Sequence, residues 1–345
     1  MKASRKLFLC LVAAASLTPP PAVAAETVTV GTVGAVSDIT LFLAEKKGYF
    51  GEEGLSANLI SFDSGAKMVA PLGAGQLDVG AGAWSAGLFN AVDRGVGIKI
   101  VADKATNKAP YSYRVVIVRK SLVDEGKVKT FADFKGLKVG IVANGAADVS
   151  SLNEAMKTVG LKVSDVDREY LGFAAQVVAL SNGGIDAAFS AEPDATIAVR
   201  QGIAVKFAPY SDFYPVQETG VILFGTTFID QHRATAQKFI KAYLRAVRFY
   251  DDALKDGKIA GPGADYIFTA LGELTKAQDT SVFRDMVASW CNPDGTLDMA
   301  SLKNDLAFFK SSGDVTGNIT AEQITDTSFV DAALKELGPY RPQGK

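Results

Sequence analysis

AKMVAPLGAGQLD, residues 66–78, returns as AAQVVALSNGGID at residues 174–186, with five identities in thirteen positions and no gap. Ala66, Val69, Leu72, Gly75 and Asp78 meet Ala174, Val177, Leu180, Gly183 and Asp186, and Leu77 meets Ile185. The first copy reads as a helix over Ala66–Leu72, despite Pro71, that leads into a strand from Leu77. The period of 108 residues is too long for a solenoid repeat. It points to two similar lobes.

The flanking sequence has the same rhythm. Val28–Val33 reads as a strand, Leu41–Lys47 as a helix closed by Gly48, Leu55–Phe62 as a strand, Leu77–Gly80 and Ile98–Ala102 as two more. The order then recurs: Leu137–Val142 resembles the first strand, with Val139-Gly140 matching Val30-Gly31, and Ser151–Val159 is the helix before Gly160. Strands alternating with helices predict βαβ units and parallel sheets. The fold class is therefore α/β, with two similar Rossmann-like lobes and a ligand cleft between them. KATNKAP (104–110) and PYSDFYPVQ (209–217) are polar, Pro-containing connections, about which the lobes are expected to close as on a hinge. The expected division is 26–105 with 216–345 as lobe 1 and its C-terminal helices, and 106–215 as lobe 2. From Gln231 onward the pattern turns helical, with Phe239, Tyr243, Val247 and Tyr250 on one face. Further helices are expected over Asp265–Leu271, Ser281–Trp290, Leu297–Phe309 and Phe329–Leu337.

The 345 residues include one histidine, His232, and two cysteines, which leaves too few ligands for most zinc or iron–sulfur sites and no material for a histidine-based catalytic triad. Lys and Arg total 36 against 38 Asp and Glu, so nothing favours nucleic acid or an anionic membrane. Lys2, Arg5 and Lys6, an apolar run from Leu7 to Leu17, and Ala22-Val23-Ala24-Ala25 read as a secretory signal peptide over residues 1–25, cleaved near Ala25. The mature protein is then expected in the periplasm, with Cys291 as its one cysteine and no internal disulfide.

In open parallel sheets, ligands bind beyond the C-terminal ends of the strands. Six such loops are available: 34–38, 63–66, 82–85, 143–148, 172–174 and 190–193. They supply the candidate ligand-binding residues Asp38, Ser64, Gly65, Trp84, Ser85, Asn144, Gly145, Asp148, Phe173 and Glu192, to which Tyr111 and Tyr214 add aromatic surface from the connections. Glycine-rich loops that open helices leave free backbone N–H groups for an anion. Trp84, Phe173 and the tyrosines favour a planar or apolar body. The offset of 108 pairs Trp84 with Glu192, so the two are expected to point into the cleft from opposite lobes. Lys67, Lys104 and Lys108 are the cations considered for balancing the loop carboxylates. No catalytic residue, metal site or cofactor is expected: GTVG (31–34) and GAG (80–82) lack the dinucleotide fingerprint.

With those residues in place, the chain resembles the solute-binding proteins of ABC transporters of the nitrate/sulfonate/taurine type. The residues that carry the resemblance are LAEKKGYFGEEGL (43–55), the Asp63-Ser64-Gly65 turn, GAGQLDV (73–79), TFADFKGLKV (130–139), GGIDAA (183–188) and Glu192-Pro193. The family often has Pro before the first helix, where this chain has Asp38-Ile39-Thr40. The resemblance implies a periplasmic-binding-protein-like fold of type II. It also implies a monomer that captures a small organic solute, sulfonate-, nitrate- or aromatic-acid-like, and delivers it to an inner-membrane permease. Two alternatives share the fold. A thiamine-pyrimidine-synthase-like enzyme would need histidine and a cysteine-rich motif. A ligand-sensing subunit of a membrane receptor would differ only in its partner.

Overall fold

The computed structural model describes residues 25–277 and 279–342. The predicted signal peptide lies outside the described residues, apart from Ala25. Ten strands form two five-stranded sheets. The first contains β1 (Glu26–Thr32), β2 (Leu55–Ser61), β3 (Val79–Gly82), β4 (Ile98–Lys108) and β10 (Val216–Gly225), in the order β2-β1-β3-β10-β4. The second contains β5 (Arg114–Arg119), β6 (Lys138–Ile141), β7 (Asp167–Tyr170), β8 (Ala187–Ala191) and β9 (Ala204–Pro209), in the order β7-β6-β8-β5-β9.

The sequence repeat is the repeat of these sheets. β1 pairs in parallel with β2 and β3, as β6 does with β7 and β8. Asp78 accepts hydrogen bonds from the Thr29 backbone N–H and hydroxyl in the middle of β1, and Asp186 accepts from the Lys138 N–H at the start of β6, so each acidic residue of the repeat is tied to the residue just before the matching Val-Gly pair. Gly31 and Gly140 are also equivalent. A Cβ on Gly31 would stand 2.9 Å from Leu77 Cδ2, and one on Gly140 would stand 2.8 Å from Ile185 Cδ1. The apolar pair Leu77/Ile185 thus closes the helix onto each sheet at the point where the strand has no side chain.

The chain exchanges one strand between the halves. β10 lies antiparallel between β3 and β4, and β5 lies antiparallel between β8 and β9, so both sheets are mixed rather than parallel. Polar residues 104–108 belong to β4 rather than to a connection. They can be buried in a strand because each has a partner: Lys104 has Asp38, Asn107 has Ser112, and the Thr106 N–H donates to the Trp290 carbonyl. The crossings between the sheets are therefore 109–113 and 210–215.

The C-terminal helices are Arg233–Asp252, Ala264–Thr275, Val282–Asp285, Met299–Ser311, Ala321–Ile324 and Ser328–Leu337. The first buries Phe239, Tyr243, Val247 and Tyr250 against the outer face of the first sheet, as their spacing predicts. The expected helix 281–290 keeps a single turn, because residues beyond Met286 extend to bridge β4 at Thr106. Cys291 is buried, 3.3 Å from the Tyr243 hydroxyl. No helix among the described residues is long and apolar enough to cross a membrane.

Candidate functional site

All six loops converge on one cavity of about 440 Å³ between the two sheets, a volume suited to a small organic molecule. The loop after β1 is shaped by Asp38, whose Oδ2 accepts from the N–H groups of Val33 and Ala35 at 3.0 and 3.1 Å. Its Oδ1 stands 2.5 Å from Lys104 Nζ, and both side chains are buried. Asp38 itself does not border the cavity; it fixes the loop and holds Lys104, which does. At the β2 loop, Gly65 lies so close to the next loop that a Cβ would fall 2.6 Å from the Ala83 carbonyl oxygen. Only glycine lets the two loops pack as one wall. Ser85 caps the helix Ala86–Asp93 by accepting from the Leu88 N–H at 3.1 Å.

Across the cleft, Asp148 opens the helix Ala147–Lys157 and pairs with Arg114 at the start of β5. The Arg114 guanidinium also lies 4.7 Å from the Phe173 ring centroid and 5.4 Å from that of Tyr210. Burial pushes the Asp148 carboxyl up, against the pull of Arg114. Burial would lower the guanidinium, but Asp148, Tyr210 and Tyr113 together outweigh it and hold Arg114 above its ordinary value. Arg114 enters the site from a crossing strand, where the rule about strand ends does not look. Tyr113, in the crossing before β5 with its hydroxyl 2.8 Å from Thr219 Oγ1, also borders the cavity and was missed for the same reason; Asp194, the first residue of the helix Asp194–Arg200, borders it one residue beyond the loop 190–193.

Of the sequence-derived candidates, Ser64, Gly65, Trp84, Ser85, Asp148 and Phe173 line this cavity. Trp84 is only 1% exposed, and its indole N–H donates to Asp305 at 2.8 Å, so it is core as much as wall. Glu192 does not meet it across the cleft. Its carboxylate accepts from Lys206 at 2.5 Å and from the Thr196 N–H at 3.1 Å, which makes it a helix-start anchor. Tyr214 is turned away as well, donating to Asp305 at 2.8 Å. Asn144 accepts from the Tyr170 hydroxyl, and the Gly145 carbonyl accepts from the Ala86 N–H at 2.9 Å, so this loop bridges the halves beside the cavity. Tyr111 packs on the side of the first sheet's core. Among the cations considered, only Lys104 reaches the cavity; Lys108 covers the Trp290 ring. No group of three or more His, Cys, Asp or Glu among the described residues is arranged for a metal.

Two α/β halves, each with a 2-1-3 parallel core and one exchanged antiparallel strand, facing each other across a loop-lined cleft, define the periplasmic-binding-protein-like class. Within that class the chain belongs to the NMT1/THI5 like family, whose pattern matches residues 37–255. A Brucella abortus relative, 30% identical over 77% of this chain and 78% of its own length, is named a binding protein with no solute given. An Aspergillus parasiticus relative, 24% identical over 61% of each chain, is a 4-amino-5-hydroxymethyl-2-methylpyrimidine phosphate synthase. The fold is similar to that of the periplasmic nitrate-binding protein of Synechocystis (13% identity, TM-score 0.75, 90% and 89% of the two chains). It is also similar to that of the alkanesulfonate-binding protein of Xanthomonas axonopodis (16% identity, TM-score 0.70, 88% and 99%).

Proposed function

We propose that this chain is the extracytoplasmic solute-binding component of an ABC importer, exported by its signal peptide and working as a monomer with a membrane permease. In this reading the described residues of 26–108 and 216–342 make one lobe and 114–209 the other, joined by the crossings 109–113 and 210–215. The observation that carries the reading is the cavity itself: loops from both halves and polar groups from the crossing strands meet around a volume fit for one small molecule. Ser64, Gly65, Ser85, Asp148 and Phe173 are proposed to touch the solute, with Trp84 as the wall behind. Asp38, Asn144, Gly145, Glu192, Tyr111 and Tyr214 are proposed to act as positioning residues.

The enzyme reading has support from the Aspergillus relative. Against it stands the chemistry available in the cavity. Among the described residues its wall carries no histidine and no cysteine: His232 is exposed beside Glu26, and Cys291 is sealed in the core, where burial pushes its thiol well up. The experiment is to incubate the mature protein with the low-molecular-weight fraction of yeast extract, wash it, release the bound material and identify it by mass spectrometry. Capture predicts one equivalent of an unchanged solute, with a stabilisation of about 2.7 kcal/mol at a hundredfold excess over Kd. Recovery of a chemically altered product would favour the enzyme.

A further inference from the structure

We infer that the captured solute carries a protonated nitrogen, with that cation standing against the carboxylate of Asp194 and its apolar body on Phe173 and Ile197. The inference rests on solute capture in this cleft and adds the charge class, which differs from the anionic one suggested by open helix N-termini.

The argument is the charge balance of the wall. Its two basic side chains are already engaged. Lys104 Nζ lies 2.5 Å from Asp38 Oδ1 and 3.1 Å from Ser37 Oγ. Arg114 is paired with Asp148 and covered by two aromatic rings. Two more carboxylates border the cavity, Asp63 at its exposed rim and Asp194 in its half-buried wall. Among the described residues neither forms an ion pair with a basic side chain. Glu192, two residues before Asp194, has already taken Lys206 from β9. Lys104 and Arg114 thus face Asp38, Asp63, Asp148 and Asp194, an excess of two negative charges around one cavity. An anionic solute would enter against that field, and to gain a cation it would have to displace a carboxylate from a buried pair.

A cation placed at Asp194 does the reverse. It neutralises a carboxylate that burial, with Glu192 nearby, pushes up to about 6 and that is still ionised at neutral pH. Ile197 is one turn further on the same helix and borders the same cavity, as does Phe173 from the first turn of the helix Phe173–Ser181 after β7. A charged nitrogen and an apolar body therefore find adjacent complements.

The test splits the low-molecular-weight fraction of yeast extract on a strong cation exchanger at low pH, which retains molecules with a basic nitrogen and passes simple sulfonates, nitrate and carboxylic acids. Each pool is titrated against ligand-free protein by thermal shift at pH 7.5. The retained pool should raise Tm in the native protein. Asp194→Asn should weaken that response at least tenfold, and Asp194→Glu should restore part of it. Stabilisation by the unretained pool alone would overturn the inference and leave capture standing; stabilisation by neither pool would count against capture itself. If Asp194→Asn fails to fold, mass spectrometry of solute bound to the native protein decides, since a solute without a basic nitrogen contradicts the inference.

Discussion

Arg114 and Asp148 are both buried, and each is the reason the other tolerates burial. Removing one leaves a largely buried charge with no partner, which costs about 3–5 kcal/mol. Arg114→Ala and Asp148→Ala should each lower the unfolding free energy from urea curves by that much, and the double replacement should cost less than the sum. Asp194 behaves in the opposite way. Its folded pKa of about 6 stands above the ordinary aspartate value, so its contribution to apo stability is complete below about pH 4 and is lost as pH rises through 6. Asp194→Asn should therefore match the native protein near pH 4 and exceed it by about 1–3 kcal/mol at pH 7.5, read from denaturant curves at both pH values. Gained stability with lost binding would mark a residue that stores cost for a ligand; lost stability at pH 7.5 would show that Asp194 has a cation partner after all. Neither Arg114 nor Asp194 was legible as a site residue. Arg114 precedes an apolar run and reads only as a strand edge, and Asp194 follows Glu192-Pro193, which takes the eye as the boundary.

The βαβ elements were legible because burial imposes a period, and the repeat doubled the evidence. Gly31 and Gly140 give that repeat a quantitative test. Gly31→Ala and Gly140→Ala push a methyl to 2.9 and 2.8 Å from Leu77 and Ile185, so both should cost about 1–3 kcal/mol, and by similar amounts. A neutral result at one and a large loss at the other would break the equivalence of the sheets. What the sequence pattern could not supply was strand direction. Apolar alternation looks the same in parallel and antiparallel strands, so the antiparallel direction of β5 and β10 was invisible, although the expected division already placed each in its own half. The end of β4 was hidden for another reason: Lys104, Thr106 and Asn107 look like loop residues until the partners that bury them are known.

At the scale of the molecule, Asp305 ties the halves together. From the helix Met299–Ser311 it accepts from Trp84 at 2.8 Å and Gln217 at 3.3 Å on one oxygen, and from Ser150 at 2.6 Å and Tyr214 at 2.8 Å on the other. Trp84 follows β3 of the first sheet, Ser150 lies in the helix after β6 of the second, and Tyr214 lies in the crossing between them. Trp84→Ala should therefore cost about 3–5 kcal/mol of apo stability, as a buried core truncation, rather than acting on affinity alone. An unchanged urea midpoint with weakened solute binding would return Trp84 to a purely ligand-facing role. The two-lobed shape followed from a thirteen-residue repeat, but this tie did not, because its members are spread over more than 200 positions and share no pattern.

The central claim is that the cavity between the sheets holds the solute. Ala174 sits on its wall, exposed, at the start of the helix Phe173–Ser181, so a larger side chain there fills space without removing a contact. Native mass spectrometry of the mature protein and of Ala174→Trp, both loaded from the low-molecular-weight fraction of yeast extract, compares the two directly. The native protein should carry one small solute, and Ala174→Trp should keep the native circular dichroism and carry none. Equal loading of a folded Ala174→Trp would contradict the account and move the site elsewhere.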